Sequence, residues 1–88
     1  MHQNHKIAIV PTYDELDASI ANEVVDAIDQ KEDINVEYIV VHVKDKVVTL
    51  DGIVPTWRCK DRASEAAHSI DHAKEIYTIK NELKVTHS

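Results

Sequence analysis

Histidines, one cysteine and a row of carboxylates are the side chains of this 88-residue sequence that could take part in catalysis or bind a metal. His68 and His72 are four residues apart, a spacing that aims two imidazoles along one face of a helix and supplies half of a zinc site. The segment between them lacks the glutamate of the zinc-protease motif, so hydrolysis is not supported. We interpret both histidines as members of a solvated helix face and predict no metal site.

Cys59 is the only cysteine, which excludes an internal disulfide and a cysteine-rich zinc site. It falls near the start of a predicted helix, between Arg58 and Lys60, where positive charge favours a reactive thiolate. The sequence places no histidine to act as its base, and free cysteines are usually buried. We therefore predict that Cys59 is a small core residue, and we assign no catalytic residue.

Carboxylates are concentrated in the first predicted helix, on the face expected to meet solvent, and Asp17 is among them. Glu23, Asp26 and Asp29 follow one another at three-residue spacing and form a candidate cation site. Surface carboxylates in pairs bind weakly, because tight calcium sites need about six or more oxygen ligands. A solubilising face is the favoured interpretation, and cation sensing is the least supported hypothesis.

The segment that opens the second predicted helix is the most distinctive candidate, because Trp57 is followed there by Arg58, Lys60 and Arg62. An aromatic ring, three cations and the free backbone N–H groups of a helix start suit a lipid headgroup or another anion. The alternative is that Trp57 folds down as a lid on the core, since large aromatic side chains usually pack. A second basic cluster, within 44–46, should lie at the opposite end of the sheet.

Size and charge restrict the classes of function. The chain is long enough for one domain, and its net charge of −6 disfavours a general nucleic-acid binder and simple electrostatic adhesion to an anionic membrane. No apolar run approaches the roughly 20 residues of a membrane span. With one glycine, no phosphate-binding loop or dinucleotide fingerprint can be written, and no cofactor is predicted.

The elements that position the candidate residues alternate between helical and strand patterns. Residues 1–11 form a predicted tail with a short apolar strip, 12–86 a single domain, and 87–88 a second tail. Within the domain, a helix capped by Thr12 or Asp14 precedes a β-hairpin, a second helix capped by Thr56 and a final strand. We predict an α+β fold of order α-β-β-α-β, in which two helices pack on one face of a three-stranded mixed sheet.

The second face of this sheet is predicted to be unusually apolar for a surface exposed to water, so that something should cover it. The strip 7–10 either folds across this face or joins the sheet as an edge strand. A second copy of the chain is the other possible cover, and the homodimer would form through the open face. The candidate interface residues are Tyr38, Val40, His42, Val47 and Ile53.

The single glycine, Gly52, lies between Leu50 and Val54 on the face toward the helices. We predict a packing role, because a side chain there would push a helix off the sheet. Leu50, Gly52, Val54 and Asn81 are assigned as structural residues.

Three motifs follow one another in this sequence, at 48–54, 56–70 and 76–85. In this order they resemble the BON domain, a small module of bacterial osmotic-stress and nodulation proteins. The run Val48, Leu50, Gly52 and Val54 is similar to the V-x-L-x-G-x-V pattern of the family's hairpin. The stretch 56–70, with its alanine pair, resembles the second helix, and 76–85, with Asn81, resembles the closing strand. Lys46 replaces the family's turn glycine, and the glycine often found before the last strand is missing, so both departures concern turns.

The resemblance implies binding rather than catalysis, with family members associated with phospholipid membranes, usually of the bacterial envelope, and one cytoplasmic relative linked to potassium. Our leading hypothesis is a non-enzymatic module that binds a phospholipid membrane surface or a protein partner. The alternative is a domain that self-associates through the open sheet face. The start of the sequence lacks a signal peptide, so we expect a cytoplasmic protein, or a periplasmic one if the chain is a fragment of an exported protein.

Overall fold

The chain folds into a mixed β-sheet covered on one face by two helices. A computed structural model describes residues 7–31 and 38–86. Residues 1–6 of the predicted tail 1–11, and the whole predicted tail 87–88, therefore lie outside the described residues. In chain order the elements are β1 (Ile7–Ile9), α1 (Glu15–Asp29), β2 (Tyr38–Lys44), β3 (Val47–Val54), α2 (Trp57–His68), a 3-10 turn (Ala73–Glu75), β4 (Thr78–Asn81) and β5 (Lys84–Val85).

The strands run in the order β1-β2-β3-β4, and β5 also pairs with β3. β2 and β3 form the predicted antiparallel hairpin, whereas β1 is parallel to β2, and β4 and β5 are parallel to β3. The predicted α+β class is confirmed, but the sheet has five strands rather than three. The apolar strip joins the sheet as edge strand β1, and the closing strand is divided at Glu82 and Leu83 into β4 and β5.

The core lies between the two helices and one face of the sheet. Alternate residues of β2 and β3 point into it, which is the period-two pattern of a sheet with one buried face. α2 contributes mainly alanines, whose small side chains allow its backbone to approach the sheet closely. Cys59 is 5% exposed, which confirms the prediction of a core residue. The fully buried positions include Ile20, Val24, Ile39, Val41, Val43, Val48, Leu50, Val54, Ala63, Ala66 and Ala67.

The hairpin turn is held by a buried carboxylate of α1. Asp45 and Lys46 have φ angles of 51° and 65°, the left-handed region that both central residues of a type I′ turn require. The Asp17 carboxylate accepts the N–H groups of Asp45 and Lys46, each at 3.0 Å. These bonds support the turn although it has no glycine. Asp17 is 4% exposed, so the prediction that it faces solvent was wrong. Its hydrogen-bond partners lie in the hairpin turn, and helical periodicity gives no information about contacts with a distant turn.

Gly52 is required by the close approach of two strands. Its φ is +123°, and a Cβ placed there would lie 2.0 Å from the carbonyl oxygen of Tyr38 on the paired strand β2. The Gly52 N–H donates to the side chain of Asp51 at 2.8 Å. The predicted structural role therefore has a different cause: a side chain would collide with the backbone of the paired strand before it could displace a helix.

Candidate functional site

The start of α2 presents an exposed aromatic ring beneath a lysine. Thr56 caps the helix, since its hydroxyl accepts the N–H of Cys59 at 3.2 Å. Pro55 alone separates this cap from the end of β3. Trp57 is 56% exposed, so the interpretation of this ring as a lid on the core was wrong. Lys60 Nζ lies 5.1 Å from the centroid of the ring, a cation–π distance that the three-residue spacing along one helical turn brings about.

The two arginines of the predicted cluster differ in their surroundings. Arg58 is exposed in the first turn of α2, next to Trp57. Arg62 lies one turn further on and is only partly exposed, with its Nε 3.9 Å from Oε2 of Glu65. The structure therefore brings Trp57 and Lys60 into contact, adds the charge of Arg58 at the same end, and engages Arg62 with an acidic neighbour.

The sheet places further side chains at this end of the molecule. β3 runs from the hairpin turn toward α2, so the lysines at 44 and 46 lie at the opposite end, as the sequence predicted. Tyr38 of β2 pairs with Ile53 near the end of β3, and Ile53 pairs with Lys84 of β5. These three residues form a row across the sheet, which we call the end row, on the face opposite the helices.

A shallow groove of about 320 Å³ lies at this end of the open face. Tyr38 is 52% exposed and Ile53 is 37% exposed, so two large apolar side chains border it in contact with water. Sequence reasoning missed Lys84, although the inward positions of Leu83 and Val85 indicate that the residue between them faces outward. The groove is lined by Tyr38, Val40, Asp51, Gly52, Ile53 and Lys84.

The five predicted interface residues share the open face. Val40 and His42 are half-buried on β2, and Val47 is half-buried at the start of β3. β1 extends the sheet sideways from β2 in parallel register and does not fold across this face. Within 7–31 and 38–86, both helices lie on the other side, so the described elements leave the open face uncovered.

The two histidines of the predicted helix face are not brought together. α2 ends at His68, because Ser69 is the C-cap and its hydroxyl donates to the carbonyl of Ala66 at 2.8 Å. His72 lies beyond the helix, where its backbone N–H donates to Glu23 Oε1 at 3.0 Å and its ring Nδ1 is hydrogen-bonded to Glu23 Oε2. The prediction that His72 belongs to α2 was therefore wrong, and the contact ties the loop after α2 to α1.

This contact engages Glu23, so one of the three candidate cation ligands on the acidic face of α1 is already hydrogen-bonded to a histidine. Among the residues that the structure describes, no group of three or more histidine, cysteine or carboxylate side chains is arranged to hold a metal ion. The three predicted acidic residues are therefore not arranged there as one metal site, and the histidine pair gains no third ligand.

Asn81 links the closing strand to the start of α2. Its Nδ2 donates to the backbone carbonyl of Lys60 at 2.8 Å, and its Oδ1 accepts the N–H of Leu83 at 3.3 Å. The Asn81 side chain therefore connects the turn of α2 that contains Lys60 to the short break between β4 and β5. This contact supplies a physical reason for the structural role that the sequence assigned to Asn81.

The comparisons with known proteins agree with the geometry of the fold. The family model of the BON domain matches residues 16–86, from α1 to the end of β5. The chain therefore belongs to the BON-domain family, which is associated with phospholipid binding rather than catalysis. A search of curated proteins found no significant match. In 7–31 and 38–86, neither helix combines the length and the apolar character needed to cross a bilayer.

Proposed function

We propose that this domain binds the surface of an anionic phospholipid membrane through the start of α2. The observation that carries the proposal is the exposed Trp57 ring with Lys60 above it. Tryptophan is suited to the membrane–water interface, because its ring is apolar over most of its area and its N–H can bond to headgroups or water. Family membership supports the same function.

Charge determines how such a domain must approach the membrane. The chain carries −6 overall, and five of its sixteen acidic residues lie on α1, so an anionic surface repels most orientations. Each lysine or arginine close to an anionic bilayer contributes about 1 kcal/mol of attraction. This attraction is short-ranged, since the Debye length is about 8 Å in physiological salt. Binding therefore requires the end with Arg58 and Lys60 to face the lipid.

We propose a binding rather than a catalytic role. Cys59, the strongest nucleophile by residue type, is buried, and the ring of His72 is hydrogen-bonded to Glu23. The family association with binding supports the same view. The cytoplasmic or periplasmic location stays a prediction.

Co-sedimentation with lipid vesicles tests this proposal. The wild-type chain should pellet with equimolar phosphatidylcholine and phosphatidylglycerol vesicles, and less with pure phosphatidylcholine. Trp57→Ala should remain in the supernatant, whereas Tyr77→Ala, which removes an 82% exposed aromatic ring at the other end of the sheet, should pellet like the wild type. No pelleting of the wild type with either vesicle would sink the proposal.

Self-association through the open sheet face is the second candidate function. Its support is the exposure of Tyr38 and Ile53 on a face that the described elements leave uncovered. A dimer of this kind predicts that Val40→Glu converts it to a soluble monomer in light scattering. A wild-type chain that is monomeric at high concentration would rule the dimer out.

A further inference from the structure

The end row and the start of α2 lie at the same end of the molecule. Only Pro55 and Thr56 separate the last residue of β3 from Trp57, and α2 packs on β5, which carries Lys84. Two surfaces that the sequence treats as separate candidates, the helix start and the open sheet face, therefore meet at this end.

Large apolar side chains are exposed on both of these surfaces. In the described part of the chain, six large apolar side chains are at least 36% exposed, and Tyr38, Ile53 and Trp57 are three of them. They belong to three different elements: Tyr38 to β2, Ile53 to the end of β3 and Trp57 to the start of α2. A surface of this kind loses unfavourable hydration when an apolar phase or partner covers it.

Three cations lie next to the exposed apolar side chains at this end. Lys84 borders the groove in register with Ile53, and Arg58 and Lys60 lie at the helix start. The acid that lines the groove is Asp51, whose carboxylate accepts the N–H of Gly52 at 2.8 Å. Cations around exposed apolar side chains complement an anionic lipid surface, which offers phosphates outside and acyl chains beneath.

The same charges argue against a second copy of this chain as the occupant. A two-fold dimer uses the same patch on both subunits, so it would bring Arg58, Lys60 and Lys84 into an interface with their own copies. Like charges across an interface are unfavourable. An anionic bilayer instead carries a net charge of the opposite sign.

We propose that the end row is the second half of the membrane-binding surface. In this arrangement Lys84 contacts headgroup phosphates, while Tyr38 and Ile53 enter the interfacial layer beside Trp57. The inference rests on the proposed function, since it extends the same docking event from the helix start onto the sheet.

Charge reversal at matched lysines tests the inference. Lys84→Glu should weaken binding to equimolar phosphatidylcholine and phosphatidylglycerol vesicles by about thirtyfold, because the substitution both removes a cation and adds an anion near the phosphates. Lys80→Glu makes the same change on β4, in register with Thr49 and further from α2, and should weaken binding less than about threefold. Ile53→Ser should also weaken binding, and thermal denaturation establishes that each variant is folded.

A second readout places a reporter in the groove. Tyr38→Trp combined with Trp57→Phe moves the single tryptophan to the end row, and its emission should shift to shorter wavelength when these vesicles are added. The inference would be overturned if this emission stays unchanged and if Lys84→Glu and Ile53→Ser both bind vesicles as well as the wild type does. Trp57→Ala would still test the proposed function in that case. If the wild type itself binds no vesicles, both proposals fail. If Lys84→Glu changes only the oligomeric state in light scattering, the row is a protein interface and the inference is wrong.

Discussion

The two ends of the sheet both expose aromatic rings and lysines, yet they are built differently. At the hairpin end, Tyr13 and Tyr77 are 106% and 82% exposed, and the neighbouring turn is bound to the buried carboxylate of Asp17. Acidic residues accompany these rings, including Asp14 and Glu15 directly after Tyr13. Aromatic exposure alone therefore does not define a membrane-binding surface.

At the α2 end, the exposed ring of Trp57 is accompanied by Arg58, Lys60 and Lys84. Side-chain hydrogen bonds there hold the backbone. Thr56 accepts the N–H of Cys59 at the helix cap, and Asn81 donates to the carbonyl of Lys60. These contacts leave Trp57 and Lys84 exposed. The buried carboxylate at the hairpin end stabilises the fold, whereas the binding role that we propose for the α2 end rests on cations at the protein surface.

The largest expected effect concerns the strand that leads to the α2 end. Gly52→Val should prevent stable folding, because its Cβ would lie 2.0 Å from the Tyr38 carbonyl oxygen and its φ of +123° is strained for a branched residue. Gly52→Ala should also be strongly destabilising, since the clash arises at the Cβ itself. Circular dichroism with thermal denaturation measures both. A melting curve like that of the wild type for either variant would show that the strands do not approach this closely.

The next effect is at the hairpin end. Asp17→Ala should lower the free energy of unfolding by about 2–4 kcal/mol, because two turn N–H groups lose a charged acceptor in a partly buried position. Asp17→Asn should cost less, since one amide oxygen still accepts. Urea denaturation gives the values, with Asp14→Asn as a control that preserves capping ability at the helix start. Equal stability of Asp17→Ala and the wild type would contradict a role for this carboxylate in the turn.

A smaller effect is expected between the two ends, where Glu23 joins α1 to the loop after α2. Glu23→Ala should lower the free energy of unfolding by about 1–2 kcal/mol, since it leaves the His72 N–H without its acceptor. Asp26→Ala, three residues along α1 and exposed, is the matched control and should change stability by less than about 0.5 kcal/mol. Hydrogen exchange at the His72 amide should accelerate in Glu23→Ala only. If both variants behave alike, the contact contributes nothing specific.

Periodicity in the sequence accounts for much of the fold but for little of the polar chemistry. Alternation along β2 and β3 and the alanine stripe of α2 are local patterns, so the hairpin and the helices follow from neighbours in the chain. The two bonds of Asp17 join residues 28 and 29 positions apart, which no local pattern encodes. α2 ends where the Ser69 hydroxyl donates to the carbonyl of Ala66, although the helical spacing of apolar residues in the sequence continues beyond this position.

The candidate site shows the same division. Its composition, an aromatic residue followed by cations, was predicted from the sequence of α2. The exposure of Trp57 was not, because an apolar ring at a helix start fits either a lid or a binding surface until packing decides. The position of Lys84 beside Ile53 depends on the register of β5 with β3, which is set by the division of the closing strand.

The smallest expected change in stability accompanies the largest change in binding. Trp57→Ala should cost at most about 1 kcal/mol of unfolding free energy, because the ring is mostly exposed and its contact with Lys60 is a surface cation–π pair. Tyr77→Ala should cost a similarly small amount at the hairpin end. Chemical denaturation of both variants tests this, and a loss of several kcal/mol for Trp57→Ala would mean that the ring belongs to the core.

The intrinsic fluorescence of Trp57 tests the central claim most directly, since it is the only tryptophan in the chain. Titration with equimolar phosphatidylcholine and phosphatidylglycerol vesicles should shift its emission to shorter wavelength and protect it from iodide quenching. Pure phosphatidylcholine vesicles should produce a weaker change, because the cations of the α2 end lose their anionic partners. An emission spectrum and quenching constant that stay the same at saturating anionic lipid would contradict membrane binding through this end.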